Sequence, residues 1–186
     1  MINRGKTYES GRLEFKNYTK LSLAEKRTIL DFRNHELVRN MMNNNSIIEL
    51  QGHLEFITRL KDDNHNYYWT VLKKEKIVGA VYLNKVDPDL RDPYWGIFLD
   101  PKYIGTGLGV EVEFESLTLF FNQFGLKKIK GEVLRNNIDS IQIQEKFLFK
   151  QIENETNNKY FQLQLTCEDW KELPKTYKEF KREILL

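Results

Sequence analysis

The sequence predicts an α/β (α+β) fold built on one mixed, mostly antiparallel sheet of about six to seven strands, with about four helices around it. Three observations lead to this class. The spacing of apolar residues changes repeatedly from alternate positions to helical positions along the chain. The middle of the chain holds three short apolar runs separated by turn residues, as in an antiparallel meander. A helical segment then connects two predicted strands, and such a crossover joins parallel strands.

One strand and two helices are predicted in the first part of the chain, up to residue 60. Residues 13–18 alternate apolar and polar side chains, as a half-buried strand does. Ser22 is expected to cap the next helix, because Glu25 three residues later completes a capping box. A second helix is expected at residues 48–60, where leucine and isoleucine recur at helical spacing. Two polar segments are expected to be irregular: residues 1–12 and the asparagine-rich run 40–46.

The central and C-terminal parts of the chain predict the rest of the sheet. Three strands are followed by a glycine-rich turn and a helix, and then by a strand, a short helix and a hairpin that turns at Asn157-Asn158. The last segment predicts a helix interrupted at Pro174. The expected strands are 67–72, 76–83, 94–99, 128–134, 149–155 and 160–166, and the expected helices are 107–124, 140–146 and 168–185.

Length and charge restrict the class of protein. A chain of 186 residues fits one domain, 1–186, with a helical C-terminal extension from about 168 to 186. Its 29 basic and 27 acidic residues are interspersed and give a net charge of +2, so no nucleic-acid partner is expected. No apolar run is long enough to cross a membrane, and no signal peptide is present. We therefore expect a soluble, cytoplasmic protein without a membrane partner.

A glycine-rich turn carries the clearest functional signal. Gly105, Gly107 and Gly109 occupy alternate positions at the start of a predicted helix. The first backbone N–H groups of a helix lack intrahelical partners and lie at the positive end of its dipole, which suits a phosphate or pyrophosphate. Gly107 is followed by Leu108 rather than Lys-Ser/Thr, which excludes a Walker loop. The position past the middle of the chain argues against a Rossmann fingerprint. A turn without a ligand is the alternative.

Two segments resemble the GNAT N-acetyltransferase superfamily. Its acetyl-CoA loop, Gln/Arg-x-x-Gly-x-Gly/Ala, maps onto residues 104–109, with Ile104 in place of the usual Gln or Arg. Residues 131–149, which include Asn136-Asn137 and Ser140-Ile141, resemble the later strand-Asn-x-x-Ala/Ser-Ile pattern of the superfamily. The order of elements is similar over residues 13–167. The resemblance implies a GNAT fold, whose sheet is splayed at its centre, and acetyl-CoA as co-substrate.

The resemblance also implies where the co-substrate binds. The loop amides hold the pyrophosphate, and the pantetheine arm pairs with the open edge of the strand at residues 94–99. A backbone N–H of Phe98 or Leu99 polarises the thioester carbonyl. The implied cofactor-binding residues are Ile97, Phe98, Leu99, Ile104, Gly105, Thr106, Gly107, Leu108, Gly109, Val110 and Asn137.

Further stretches resemble one branch of the superfamily, the N-acetyltransferases of pseudaminic acid biosynthesis, which acetylate the 4-amino group of a UDP-linked sugar. These stretches are Phe32–His35, Met42, His53–Ile57, Tyr94–Ile97 and Glu132-Val133. The resemblance implies an acceptor pocket formed by Arg33, Met42, His53, Phe56, Tyr94 and Glu132. Arg33 suits a nucleotide phosphate, and Phe56 and Tyr94 suit the face of a sugar or of uracil. Glu132 or His53 could take the proton of the amine.

Gln144 stands where the superfamily often has the tyrosine that protonates the departing thiolate. A glutamine amide can form a hydrogen bond to sulfur but is not a practical acid. Three alternatives stay open: another tyrosine serves, water protonates the thiolate, or the protein binds CoA without transfer. The catalytic candidates are therefore Glu132, His53 and Gln144.

Each candidate residue also has a purely structural interpretation. Arg33 could complement the C-terminal end of a helix, His53 could be a partly buried histidine, and Met42 could fill the core. The three histidines have no metal-ligand spacing, so no metal is predicted, and Cys167 is expected to be a buried strand residue.

The predicted function is acetyl transfer from acetyl-CoA, by direct attack, to the amine of a nucleotide-linked amino sugar. A protein N-terminus, a polyamine or an antibiotic are the alternative acceptors. A non-catalytic CoA- or nucleotide-binding module is the alternative from another class. The expected partner is a small-molecule amine, and the sequence is compatible with a homodimer.

Overall fold

The computed structural model describes residues 2–152 and 159–185, which form one eight-stranded sheet in the order β1-β2-β3-β4-β5-β6-β8-β7. Every neighbouring pair is antiparallel except β5 and β6. The strands are β1 (Tyr8–Ser10), β2 (Leu13–Asn17), β3 (Tyr67–Lys73), β4 (Lys76–Asn84), β5 (Tyr94–Leu99), β6 (Lys128–Leu134), β7 (Lys150–Ile152) and β8 (Tyr160–Thr166). The mixed sheet that the sequence predicts is confirmed.

The four longer helices are those that the sequence predicts around the sheet. They are α1 (Leu23–Asn34), α3 (Leu50–Arg59), α4 (Leu108–Thr118), which continues as a π-helical turn (Leu119–Gln123), and α5 (Ile138–Lys146). Three short helices add to them: α2 (Glu36–Arg39), α6 (Cys167–Lys171) and α7 (Tyr177–Phe180), the last followed by a π-helical turn (Lys181–Leu185). The predicted capping box begins α1, because Ser22 accepts from the N–H of Glu25 and the Glu25 carboxylate accepts from the N–H of Ser22.

Two apolar layers cover the two faces of the sheet. Alternate residues of a strand point to opposite faces, so Trp69 packs into one core and its neighbour Tyr68 packs against the other. The first core lies between the sheet, α4 and the C-terminal helices, with Phe114 and Phe180 fully buried. The second core lies under α1 and α3 and includes Ile57. The candidate site lies on this second face.

The expectation that residues 1–12 are irregular is wrong for Tyr8–Ser10. These residues form β1, which pairs with β2 through a two-residue turn at Gly11 and Arg12. The turn needs glycine, since Gly11 has a φ of 56° and a Cβ there would lie 2.2 Å from the Glu115 carboxylate of α4. Ser10 donates to the same carboxylate at 2.6 Å. The strand is stabilised by contacts more than one hundred residues away in sequence, which local patterning does not reveal.

The parallel pair at the centre of the sheet separates after one residue pair. Only Tyr94 and Lys130 are paired in register between β5 and β6. The remaining residues of β5 are paired with β4 alone, up to Leu99 opposite Gly79. The far end of β5 therefore presents an open backbone edge inside the sheet.

The C-terminal segment packs on the same core as the sheet. Phe180 stacks on Phe147 with ring centroids 4.5 Å apart and lies 5.3 Å from Phe114. The helical run breaks around Pro174, between α6 and α7. Cys167 differs from its expected place: it is the first residue of α6, is half-buried, and donates to the Glu168 carboxylate at 3.1 Å.

Two of the predicted features lie wholly or partly outside the described residues. Strand 149–155 is described only up to Ile152, and the turn at Asn157-Asn158 falls outside. Over the described ranges, no helix combines the length and apolar character that crossing a membrane requires.

Candidate active site

A cavity of about 640 Å³ opens on the second face of the sheet, beside the separated ends of β5 and β6. Helices α1 and α3 and the irregular segment after α2 form one wall, and the central strands with α5 form the other. Its volume is typical of a small-ligand site.

The structure brings all six residues of the predicted acceptor pocket to this one cavity. They are Arg33, Met42, His53, Phe56, Tyr94 and Glu132. Gln144, Asn137, Ile97 and Phe98 line it as well. The loop residues Ile104, Gly105, Thr106, Gly107, Leu108, Gly109 and Val110, together with Leu99, do not line it and lie at the end of β5 and the start of α4. The roles of these residues stay predictions.

Unpaired polar atoms concentrate in the cavity. Buried side-chain polar atoms normally have a hydrogen-bond partner, and an exception in a cavity points to a missing ligand or water. Among the described residues, seven such atoms lack a partner. Four of them belong to residues that line the cavity: Arg33 Nη1, His53 Nε2, Asn84 Oδ1 and Gln144 Oε1. The cavity is therefore built to receive a polar molecule.

His53 is placed to accept a proton. It lies on α3, is only 6% exposed, and forms a T-shaped pair with Tyr18, with ring centroids 6.4 Å apart. Burial lowers the pKa of His53, because the imidazolium ion loses hydration there. The imidazole is therefore neutral at neutral pH, with Nε2 unpaired among the described residues.

Arg33 presents half of its guanidinium to the cavity. It lies in the last turn of α1, and its Nη2 donates to the backbone oxygen of Asn44. Nη1 is buried and has no partner in the described part of the chain. Burial lowers the pKa of Arg33 somewhat, but a guanidinium remains charged in a protein. An anionic ligand group would satisfy this nitrogen.

Glu132 lies on β6 with its side chain exposed at the mouth of the cavity. Its two carboxylate oxygens accept from the amides of Asn43, at 2.8 Å, and Gln162, at 3.2 Å. Among the described residues that line the cavity it is the one carboxylate, whereas Arg33 and Lys85 contribute two cations.

Aromatic side chains form much of the wall. Phe56 and Tyr68 form a T-shaped pair with ring centroids 5.0 Å apart, and Tyr68 stacks on Tyr82 at 5.1 Å. Sequence reasoning missed Tyr68 and Tyr82. One signal was present: a glycine inside a strand often marks close approach of another group. A Cβ at Gly96 would lie 2.2 Å from the Tyr82 ring, so Gly96 makes room for this wall.

The glycine loop has the geometry expected of an anion site. Gly107 is the N-cap of α4 with a φ of 80°, and Gly105 has a φ of 77°, both in the left-handed region that favours glycine. A Cβ at either position would meet no heavy atom within 4 Å, so the approach to the loop is open. The first N–H groups of α4 lie here at the positive end of the helix. The residues present fit a pyrophosphate.

The register of β5 shows which of its amides are free to pair. Asp100 N–H donates to Val78 O at 2.9 Å, so in this antiparallel ladder the even-numbered residues of β5 bond to β4. Phe98 N–H therefore points to β4, and the backbone groups of Ile97 and Leu99 point to the open edge. Of the two predicted donors to the thioester carbonyl, Leu99 is the one on the accessible side.

No cluster of metal-ligating side chains occurs in the ranges that the structure describes. The class of protein is that of the acyl-CoA-dependent acyltransferases, because the fold combines a splayed sheet, a glycine loop and an adjacent cavity. Residues 17–150 match the acetyltransferase (GNAT) domain family, which is most of the chain, and the protein belongs to that family. It is an N-acetyltransferase with acetyl-CoA as co-substrate.

Known proteins resemble the chain along most of its length. It is 23% identical to the acetyltransferase PseH of Campylobacter jejuni over 162 residues, which cover 87% of this chain and 99% of PseH. The crystal structure of C. jejuni PseH with acetyl coenzyme A superposes with a TM-score of 0.67 and 18% identity, over 83% of this chain and 98% of that one. Spermidine N-acetyltransferase of Vibrio cholerae with CoA and spermine gives a TM-score of 0.74 and 16% identity, over 86% and 98%.

Proposed function

We propose that the enzyme transfers the acetyl group to the amine of a nucleotide-linked amino sugar. The observation that carries this proposal is Arg33 Nη1, which is buried in the cavity wall without a partner; of the described residues that line the cavity, one is a carboxylate and two are cations. A guanidinium nitrogen in such a place favours a phosphate or another anionic group on the acceptor. The similarity to PseH supports the same substrate class.

The charge of the cavity separates this acceptor from a polyamine. A polyamine carries several positive charges at neutral pH and would need carboxylates to compensate them. Glu132 is the one carboxylate among the described cavity residues, and two neutral amides already occupy its oxygens. Arg33 and Lys85 would repel a polycation. The good superposition on a spermidine N-acetyltransferase supports the fold rather than this substrate.

The walls of the cavity suit the rest of such an acceptor. Phe56, Tyr68 and Tyr82 offer apolar faces for a sugar ring or a pyrimidine. Arg33 holds the diphosphate, Asn84 Oδ1 accepts from a sugar hydroxyl, and Met42 covers the apolar side. Tyr94, with Lys85 Nζ 4.9 Å from its ring centroid, closes the cavity near β5.

Acetyl transfer then needs a free amine, a polarised thioester and a place for the released proton. His53 accepts the amine's proton through Nε2, directly or through water, since the imidazole is neutral and this nitrogen has no partner among the described residues. Glu132 serves the same purpose at the cavity mouth or orients the acceptor. Leu99 N–H donates to the thioester carbonyl from the open edge of β5. Residues 104–110 and Asn137 bind the co-substrate.

Thiol release from acetyl-CoA tests the acceptor. The panel contains a UDP-linked 4-amino sugar, a TDP-linked amino sugar, spermidine and a peptide with a free N-terminus. We expect release with a sugar nucleotide, and Arg33→Gln should raise its KM strongly. Arg27→Gln is the matched control, because Arg27 lies on the same helix, is exposed and does not line the cavity. Release with spermidine and none with either sugar nucleotide would overturn the proposal.

A further inference from the structure

A buried acid stands directly behind Gln144. Gln144 lies on α5 and lines the cavity, whereas Glu113 lies on α4 and does not. Gln144 Nε2 donates to Glu113 Oε1 at 2.7 Å. Glu113 is 5% exposed and Gln144 is 6% exposed, so this contact is shielded from water. The other amide atom, Gln144 Oε1, is buried without a partner in the described part of the chain.

The direction of this hydrogen bond decides what Gln144 offers a ligand. The amide N and O are almost equal in size, so a half-turn of the amide exchanges them without changing the packing. The arrangement shown needs an acceptor at Glu113, which a carboxyl group provides in either protonation state. The reversed arrangement needs a donor, which only the neutral carboxyl provides. In the reversed arrangement Gln144 Oε1 has a hydrogen-bond partner, and the NH₂ group of Gln144 is free to face the cavity.

We propose that Glu113 is a positioning residue for acetyl transfer: its O–H donates to Gln144 Oε1 and thereby turns the Gln144 amide N–H towards the departing thiolate of CoA. In this step the amine nitrogen forms a bond to the acetyl carbon and gives up its proton to His53, directly or through water, and the C–S bond breaks with its electron pair going to sulfur. The thiolate is stabilised by the amide N–H and is protonated later by water. No proton passes through Gln144, so the absence of a tyrosine at this position does not prevent the reaction.

The burial of Glu113 keeps it in the donor form at neutral pH. Burial raises the pKa of Glu113 to about 8, and no charged neighbour contributes to that shift. The surrounding titratable groups are engaged elsewhere or lie at the surface. On α4, Glu111 forms ion pairs with Arg12 and Lys73, and Glu115 accepts from Ser10. On α5, Glu145 and Lys146 are exposed. On α7, burial raises the pKa of Tyr177, and the charges of Glu111 and Glu115 also raise it.

The proposal predicts a specific dependence on pH. Above the pKa of Glu113 the carboxylate can only accept, so the amide NH₂ turns back to it and Gln144 Oε1 faces the sulfur. Turnover should therefore fall on the alkaline side. Glu113→Gln supplies an amide donor at every pH, so kcat of this variant should not fall there. About one pH unit above the pKa, kcat of Glu113→Gln should exceed that of the wild type roughly tenfold.

The second readout is the pKa of the CoA thiol. This proposal rests on the placement of CoA in the proposed function, but the measurement needs no amine acceptor, so it tests Glu113 separately from the choice of acceptor. The pKa of the CoA thiol in the binary complex is followed by the ultraviolet absorbance of the thiolate. We expect Glu113→Gln to lower it by about one pH unit, because an N–H donor stays on the sulfur. Gln144→Leu should not show this lowering, because it leaves no N–H donor on the sulfur.

Glu115→Gln is the matched control, since it makes the same change on the same helix at a carboxylate that faces Ser10. It should leave both the thiol pKa and the alkaline fall of kcat as in the wild type. An unchanged thiol pKa in Glu113→Gln, or an alkaline fall that persists in that variant at the same midpoint, would overturn the proposal. If the thiol pKa shifts as expected but sugar nucleotides are not acetylated, only the proposed class of acceptor would be wrong.

Discussion

The side-chain amide of Asn43 donates to Glu132 Oε2 at 2.8 Å, which links two residues 89 positions apart in the sequence. Asn43 belongs to the irregular segment after α2, and Glu132 to the central strand β6. Both residues line the cavity, so the bond joins its two walls at the mouth. It fixes the position of a segment that has no helix or strand of its own, and it orients the one carboxylate of the described cavity lining.

Replacing Glu132 with Gln should lower kcat while leaving acetyl-CoA affinity nearly unchanged. The substitution keeps the shape but removes the charge and one acceptor oxygen, so one of the two amides that bond to Glu132, that of Asn43 or of Gln162, loses its acceptor. Steady-state kinetics with a calorimetric titration of acetyl-CoA would separate the two effects. Glu145→Gln, an exposed acid on α5, is the control and should change neither. Equal turnover in Glu132→Gln and the wild type would remove Glu132 from the mechanism.

Replacing His53 with Gln should reduce kcat by about 10²–10⁴-fold, the usual contribution of a general base. Burial lowers the pKa of His53, so the wild-type imidazole is neutral above that pKa and becomes charged as the pH falls through it. The wild-type kcat/KM should therefore decline on the acid side, below the ordinary histidine pKa. This decline should be absent in His53→Gln.

The exposed His65 provides the control for that experiment, since its ring contacts the backbone oxygen of Val86 rather than the cavity. His65→Gln should keep the full rate and the acid decline. If kcat/KM of His53→Gln still declines on the acid side, the decline belongs to a group other than His53.

Replacing Gly107 with Val should weaken CoA binding by about tenfold or more. At a φ of 80° an L-residue costs about 1–2 kcal/mol, and the side chain would project into the open approach to the loop. Gly125→Val is matched, because Gly125 has a φ of 66° and lies outside the loop. Calorimetry should show a loss of CoA affinity only in the Gly107 variant, although both lose stability. Undiminished affinity in Gly107→Val would contradict the loop assignment.

Replacing Phe180 with Ala should lower the free energy of unfolding by about 3–5 kcal/mol. Its ring is fully buried and packs on Phe147 and Phe114, so the variant leaves a cavity between the C-terminal segment and α4. Lys178→Ala, an exposed residue of the same helix, should change stability little. Urea titration would compare them. A cost below about 1 kcal/mol for Phe180→Ala would mean that the segment contributes little to the fold.

Local patterns predicted most of the sheet. Strands β5 and β6 have the predicted bounds, and β5 is an apolar run between turn residues. Ser22 sets the start of α1 through contacts within one helical turn. In contrast, β1 depends on Glu115, which is distant in sequence, and no local pattern could reveal it.

The candidate site was only partly predictable for the same reason. The resemblance to a known family identified the residues at its motifs, and the structure places six of them in one cavity. Tyr68 and Tyr82 alternate on their strands as ordinary sheet residues do, and their role in the wall follows from stacking across β3 and β4. The contact between Glu113 and Gln144 joins two helices, and neither helix shows it alone.

The separation of β5 from β6 also bears on solubility. An unpaired strand edge at the border of a sheet can be extended by the edge of another molecule, which is a route to aggregation. Here the open edge lies in the interior, with four strands on one side of β5 and β6 close on the other. A slender, flexible chain can enter that gap, whereas the flat border of a second sheet cannot. The fold thus keeps this backbone edge open without placing it at the border of the sheet.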